Sequence, residues 1–218
     1  MTQQDIKMPW YSQTFPRGSS HGYTIVIFAK YYNLTSTLDL VHGIRNQVLA
    51  VETFIRNFQL KLLDDIVFTN KRLAKIGYVP HDTCTFCKEE TETIYHLFYE
   101  CPFTLLFWEN FEKFWFVLSG KKEKFTLQDV YIGKLEKSCE LLNYLMVLAK
   151  LHIWQSRKQD KIPECEVFLK QVDVKYRTEK YIAVKNNTEK FQAKAWFPYR
   201  CICRICRVCR TKKIHRTD

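Results

Sequence analysis

The stretch CTFCKEETETIYHLFYEC, from Cys84 to Cys101, constrains this chain more than any other part of it. Its spacing is Cys84-x2-Cys87-x8-His96-x4-Cys101, which supplies three thiols and one imidazole, the donor types that tetrahedral zinc takes. A C-x2-C pair commonly forms a tight turn that brings both thiolates to one ion, and the other two ligands must then arrive from a second element. Here that element is the helix expected over ETIYHLFYE. His96 and Cys101 are five residues apart, one more than the step that stacks two side chains on one helical face. Pro102 disfavours helical geometry at Cys101, so the chain should leave the helix there and let the thiol swing toward the ion. Taken singly, such residues are more simply explained as buried cysteines and a core histidine. Four donors of the right type so close together favour metal. With every position filled by protein no reactive water can bind, so one Zn2+ per chain, structural rather than catalytic, is expected. His81, three residues before Cys84, is the alternative imidazole.

Nine cysteines in a chain of 218 residues would suit a disulfide framework only in a secreted protein. The N-terminus, MTQQDIKMPW, lacks the basic patch and apolar run of a secretory signal. A reducing compartment, nuclear or cytoplasmic, is therefore expected. No membrane anchor is expected either, because the most apolar early run, Tyr23 to Ala29, is about a third of a membrane span. The net charge of +11 points to an acidic partner, and its distribution is informative. Residues 1–40 carry +1, 41–120 carry −2, 121–200 carry +7 and 201–218 carry +5. Between Asp82 and Glu112 one lysine faces seven carboxylates, so the metal segment is a poor phosphate binder.

Periodicity divides the chain into four parts: an irregular arm over 1–40, a helical zinc-binding region over 41–120, basic helices over 121–200 and a disordered Cys/Arg tail over 201–218. Val51, Phe54, Ile55, Phe58, Leu62 and Ile66 recur at helical steps, predicting about four turns with one apolar stripe. Thr69 or Asn70 should cap a short helix over KRLAKI that ends at Gly77, with Leu73 and Ile76 packing on the first helix. Pro102 to Leu118 should be a helix buried on more than one side. Thr126 and Asp129 form an N-cap for LQDVYI, Leu141 to Trp154 is strongly helical, and Pro163 suits the first position of the next helix. The expected fold is mostly α, a compact bundle of five to seven helices with a small inserted CCHC zinc knuckle. Cys139 and Cys165 should be core residues. A second set, Cys203, Cys206, Cys209 and His215, crowds its thiolates in an unfolded context and is a poor native site.

Catalytic signatures are missing: no phosphate-binding G-x4-G-K-[ST] loop, no Rossmann fingerprint and no G-x-S-x-G elbow. Asp64 and Asp65 superficially resemble paired polymerase aspartates, but they fall within the periodic helix KLLDDIVF, where a solvated face is the simpler reading.

The residues Phe58, Gln59, Lys61, Leu62 and Leu63, then Thr69-Asn70, the C-x2-C pair, His96-Leu97-Phe98, Cys101-Pro102 and Phe107-Trp108, taken in order, resemble the zinc-binding region downstream of the reverse transcriptase core in LINE-type non-LTR retrotransposon polyproteins. The resemblance extends to about Trp196. Asp64 and Asp65 depart from the family's basic or neutral pair, which argues against nucleic-acid contact on that face. The resemblance implies a fragment without polymerase or endonuclease, not an enzyme by itself, that binds RNA or DNA (the element transcript or target site) and packs on a reverse transcriptase core. The basic residues suited to phosphate are Lys71, Arg72 and Lys75 on the short helix, and Lys170, Arg177 and Lys180 near the C-terminus. Trp154 and Trp196 could stack on bases, though burial is the simpler fate of each. The alternative is a structural helical domain that packs on the polymerase core and binds no specific nucleic acid.

Overall fold

Helix α1, Thr53–Leu63, buries Ile55, Phe58 and Leu62 and leaves Phe54 65% exposed. The computed structural model describes residues 53–134, 139–197 and 199. The expectations for Val51, the arm, and the tail with Cys203, Cys206, Cys209 and His215 lie outside them. The helix ends earlier than its apolar period suggests. Asp64 and Asp65 form a turn rather than a helical face, with Asp65 at φ 53°, a conformation that Asp tolerates better than most residues. The short helix α2, Asn70–Lys75, follows, and Gly77 at φ 73° ends its turn. The expected packing of Ile76 on α1 does not form: Ile76 is 62% exposed, because a helix this short turns none of its side chains fully inward.

The metal segment leads through one π turn, His96–Glu100, into α3, Pro102–Ser119. The buried residues of α3 are Thr104, Phe107, Trp108, Phe111, Trp115 and Leu118, a single helical stripe. Its other side leaves Leu106 54% and Val117 65% exposed, so α3 is buried on one side and not on several. Gly120, at φ 73°, donates its amide to the Phe116 carbonyl and stops the helix. Thr126 and Asp129 form a reciprocal capping box on α4, Leu127–Ile132.

Helix α5, Glu140–Lys158, lies at the centre, packed against α1 and α6, and twelve of its side chains are buried. Helix α6, Cys165–Lys185, starts two residues after Pro163, with extended Glu164 as its cap, and packs on both α3 and α5. Helix α7, Glu189–Ala195, folds back onto α6. Rings of Phe107, Phe111, Phe125, His152 and Phe168 interlock where α3, α5 and α6 meet. The core runs continuously from Ile55 to Tyr199. Cys139 and Cys165 pack partly buried against it. Burial pushes the Cys165 thiol up to about 11, with Glu166 adding to the effect. The described residues contain no strand beyond one isolated antiparallel bridge, Thr83 to Thr91, and no helix among them is long and apolar enough to cross a membrane.

Candidate metal centre

The Thr83–Thr91 bridge closes the loop that carries the first two ligands. Inside it the Cys84 amide donates to the Glu90 carbonyl (2.7 Å) and the Lys88 amide to the Cys84 carbonyl (3.0 Å). Lys88 adopts φ 61° as the chain reverses. The Phe86 amide points at Cys84 Sγ, 3.4 Å away, so the turn presents an N–H group to a thiolate as well as positioning two sulfurs.

The second pair of ligands depends on the π turn. Its defining hydrogen bond runs from the Cys101 amide to the His96 carbonyl, 2.8 Å, across the five-residue step that an α-helix would not stack. Cys101 itself is extended (φ −60°, ψ 132°), as Pro102 requires. Both devices therefore operate: the extra residue in the turn aligns the backbone, and proline fixes the exit. Pro102 has no N–H to offer the preceding carbonyls. Their partners are side chains of α3 instead, with Thr104 Oγ1 donating to the Leu97 carbonyl (2.9 Å) and Trp108 Nε1 to the Phe98 carbonyl (2.8 Å). Leu97 and Phe98 are fully buried, which fastens the turn to the core.

These elements bring Cys84, Cys87, His96 and Cys101 together, with their ligand atoms all within 4.8 Å of one another. Cys84 Sγ and Cys101 Sγ are 3.9 Å apart, and Cys87 Sγ and His96 Nε2 are 3.3 Å apart. Around tetrahedral zinc, bond lengths of about 2.3 Å to sulfur and 2.0–2.1 Å to nitrogen set edges of roughly 3.8 Å and 3.5 Å. The donor set fits one zinc ion. Cys101 is the sulfur whose thiolate is favoured. It accepts from the Cys84 thiol and faces the amides of Phe103 and Thr104 at the start of α3. That same bond, with burial, pushes the Cys84 thiol up. His81 is exposed and outside the cluster.

Beside the ligands lies a polar node centred on Glu92, a residue that neither motif nor period announces. Glu92 is fully buried, and its carboxylate accepts from the Asn70 amide (2.7 Å), the Thr85 amide (2.8 Å), Thr85 Oγ1 (2.6 Å) and Arg157 Nε and Nη2 (3.0 and 2.8 Å). Asn70 accepts from Arg157 Nη2 (2.7 Å) and donates to the Thr83 carbonyl (2.8 Å). Expected as a helix cap and as part of the Thr69-Asn70 pair that carries the resemblance, Asn70 uses its side chain to tie α2, the metal loop and the end of α5 together. Thr85 sits between the two first ligands, so the node holds their turn.

The basic residues expected to meet nucleic acid form two groups. Lys71, Arg72 and Lys75 are exposed around α2, and the Arg72 guanidinium donates to the Asp65 carbonyl. Lys170, Arg177 and Lys180 are exposed on α6, with Arg177 paired to Asp173 one turn away. Trp196 is 1% exposed and bonds Glu179 through its indole (2.7 Å), a core residue. Trp154 is half-buried on Phe98, with the Arg157 guanidinium 4.9 Å from its ring centre.

No curated protein matches this chain. Residues 48–108, which contain all four ligands, Asn70, Glu92, the π turn and the first part of α3, match the family described as zinc-binding in reverse transcriptase, and the geometry of the four donors agrees with that family's metal.

Proposed function

We propose that this chain is a zinc-stabilised nucleic-acid-binding module of a LINE-type non-LTR retrotransposon, a piece of its reverse transcriptase polyprotein with no catalysis of its own. The observation that carries the reading is the separation of charge. The metal loop is acidic, whereas residues 121–200 carry 17 Lys and Arg against 10 Asp and Glu. Lys170, Arg177 and Lys180 stand exposed on one side of α6. Zinc, held by Cys84, Cys87, His96 and Cys101, would fix the CCHC knuckle as a scaffold; it supplies cross-linking, not chemistry. Phosphate contact then belongs to the helices, with RNA or DNA as partner.

The test is fluorescence anisotropy with labelled RNA and DNA at two salt concentrations, on the chain with and without residues 200–218. Affinity that falls with salt and survives the deletion supports the module. Its complete loss on deletion would leave only an adhesive tail. Incorporation of nucleotides on a primed RNA template, abolished by Asp64→Ala, would overturn the absence of catalysis.

A second reading, a structural domain that packs on a reverse transcriptase core, draws on the uncovered side of α3. Leu105, Leu106, Phe116 and Val117 are 39–65% exposed there. Leu106→Lys with Val117→Lys would abolish co-purification with such a core under that reading and leave nucleic-acid affinity unchanged.

A further inference from the structure

Helix α6 buries Phe168, Val172, Tyr176 and Ala183. On the opposite side Lys170, Val174, Arg177, Tyr181 and Lys185 follow at steps of four, three, four and four residues, one continuous stripe facing solvent. Tyr181 is 60% exposed, and the Lys185 ammonium lies 4.8 Å from its ring centre. Arg177 stands one turn before it. Along its second half one carboxylate reaches the stripe from the turn before, Asp173, which pairs with Arg177. From Val174 to Lys185 the sequence has one acidic residue, Glu179, and that carboxylate is turned inward, accepting from the Tyr144 hydroxyl (2.5 Å) and the Trp196 indole (2.7 Å). An aromatic face bracketed by cations, one helical turn to either side, is the arrangement that holds a base between two phosphates.

We propose that this stripe of α6 is a track for single-stranded nucleic acid, with Tyr181 stacking on an unpaired base and Lys170, Arg177 and Lys185 neutralising the flanking phosphates. The assignment rests on the nucleic-acid reading above and specifies its surface and its substrate class. Bases in a duplex are already stacked, so an exposed tyrosine ring has no partner there. From Lys170 to Lys185 the helix rises about 22 Å, enough for a short run of nucleotides.

The experiment uses the full zinc-loaded chain, so that contributions from other regions cancel between variants. Anisotropy of a labelled oligo-uridylate and of a duplex of equal length is measured for the parent, Tyr181→Ala, Tyr181→Phe, and the triple variant Lys170→Gln, Arg177→Gln, Lys185→Gln. Tyr181→Ala should weaken the single strand about 5- to 150-fold and the duplex less than twofold, while Tyr181→Phe, which keeps the ring, stays near the parent. The triple variant should flatten the log–log salt slope for the single strand by about 2. An equal loss on the duplex, or an unchanged single-strand affinity in Tyr181→Ala, overturns the stacking track. If the triple variant alone weakens binding, the nucleic-acid reading survives and the stacking role does not. A parent that binds neither probe overturns both.

Discussion

Replacing Arg157 by Met isolates what the Glu92 node contributes. Methionine keeps an unbranched stem against Trp154 and removes the guanidinium, so the variant loses two charge-assisted hydrogen bonds to Glu92 and one to Asn70. Glu92 would remain a buried carboxylate served by three neutral donors, the amides of Asn70 and Thr85 and the Thr85 hydroxyl. Removing one partner of a buried pair costs about 3–5 kcal/mol, because the other charge stays desolvated. The Arg157 side chain is 11% exposed and Glu92 0%, so solvent screens little; the lower end of that range, about 3 kcal/mol, is expected. Urea unfolding of the zinc-loaded protein, followed by circular dichroism, measures it. Glu92→Gln together with Arg157→Met removes both charges and should cost less than Arg157→Met alone, a coupling that a double-mutant cycle reads directly. Because Thr85 sits between Cys84 and Cys87, Arg157→Met should also give up zinc more readily to a competing chelator. The reasoning fails if Arg157→Met unfolds within about 0.5 kcal/mol of the parent, or if the two substitutions simply add.

Further outcomes follow from the metal, from a buried imidazole and from a buried thiol. Structural zinc contributes on the order of 10 kcal/mol, so a strong chelator should unfold the region from Thr83 to Leu118; unchanged helicity and protease resistance there would refute a structural role. His152, buried between Phe107 and Phe168, has its pKa lowered by desolvation, with the Gln171 hydrogen bond opposing. Below about pH 6.5 the unfolded chain therefore takes up the proton first and stability falls. His152→Phe should lessen that loss between pH 6.5 and 5 relative to the parent, and identical slopes would count against it. The Cys165 thiol, with its pKa at about 11, should alkylate slowly at pH 8 and faster up to that value, as mass mapping of the zinc-loaded protein would show; rapid labelling at pH 8 would contradict its burial.

The metal centre was legible because its information is local. Four donors, a spacing and a proline lie in one short stretch, and each constrains the next through the backbone. The capping box at Thr126 was legible for the same reason, since both partners are three residues apart. The end of α1 was not. The apolar period continues through Ile66, but Asp64 and Asp65 turn the chain first, and a hydrophobic period does not register a left-handed residue. Glu92 was invisible for a different reason. A glutamate in a polar loop reads as solvated, and its partner Arg157 is 65 residues away on another helix. Gln59 is similar: it reads as a polar residue on an amphipathic helix, yet it is fully buried and donates to the Tyr131 carbonyl (3.1 Å), joining α1 to α4. Buried polar contacts of long range carry no periodic signature, so they emerge only when the elements are packed. The exposed stripe of α6 was half legible. Lys170 and Arg177 follow from spacing, whereas Tyr181 and Lys185 join them only in the structure, where Trp196 is buried and Tyr181 exposed.

The charge of the metal loop opposes the approach of phosphate. Three thiolates and a neutral imidazole around Zn2+ leave the centre at −1, so the ion does not reverse the acidity of its surroundings. Between Asp82 and Glu112 the only lysine is Lys88, and it already pairs with Asp160 (2.9 Å). Arg157, which reaches the loop from α5, is engaged by Glu92 and Asn70. Arg157 thus holds the loop against the helices, whereas the Lys88–Asp160 pair stands open to solvent. On α6, Arg177 pairs with Asp173 and Lys175 with Glu179, while Lys180 and Lys185 are exposed. A polyanion brought to this chain would meet repulsion over the loop and attraction along α6.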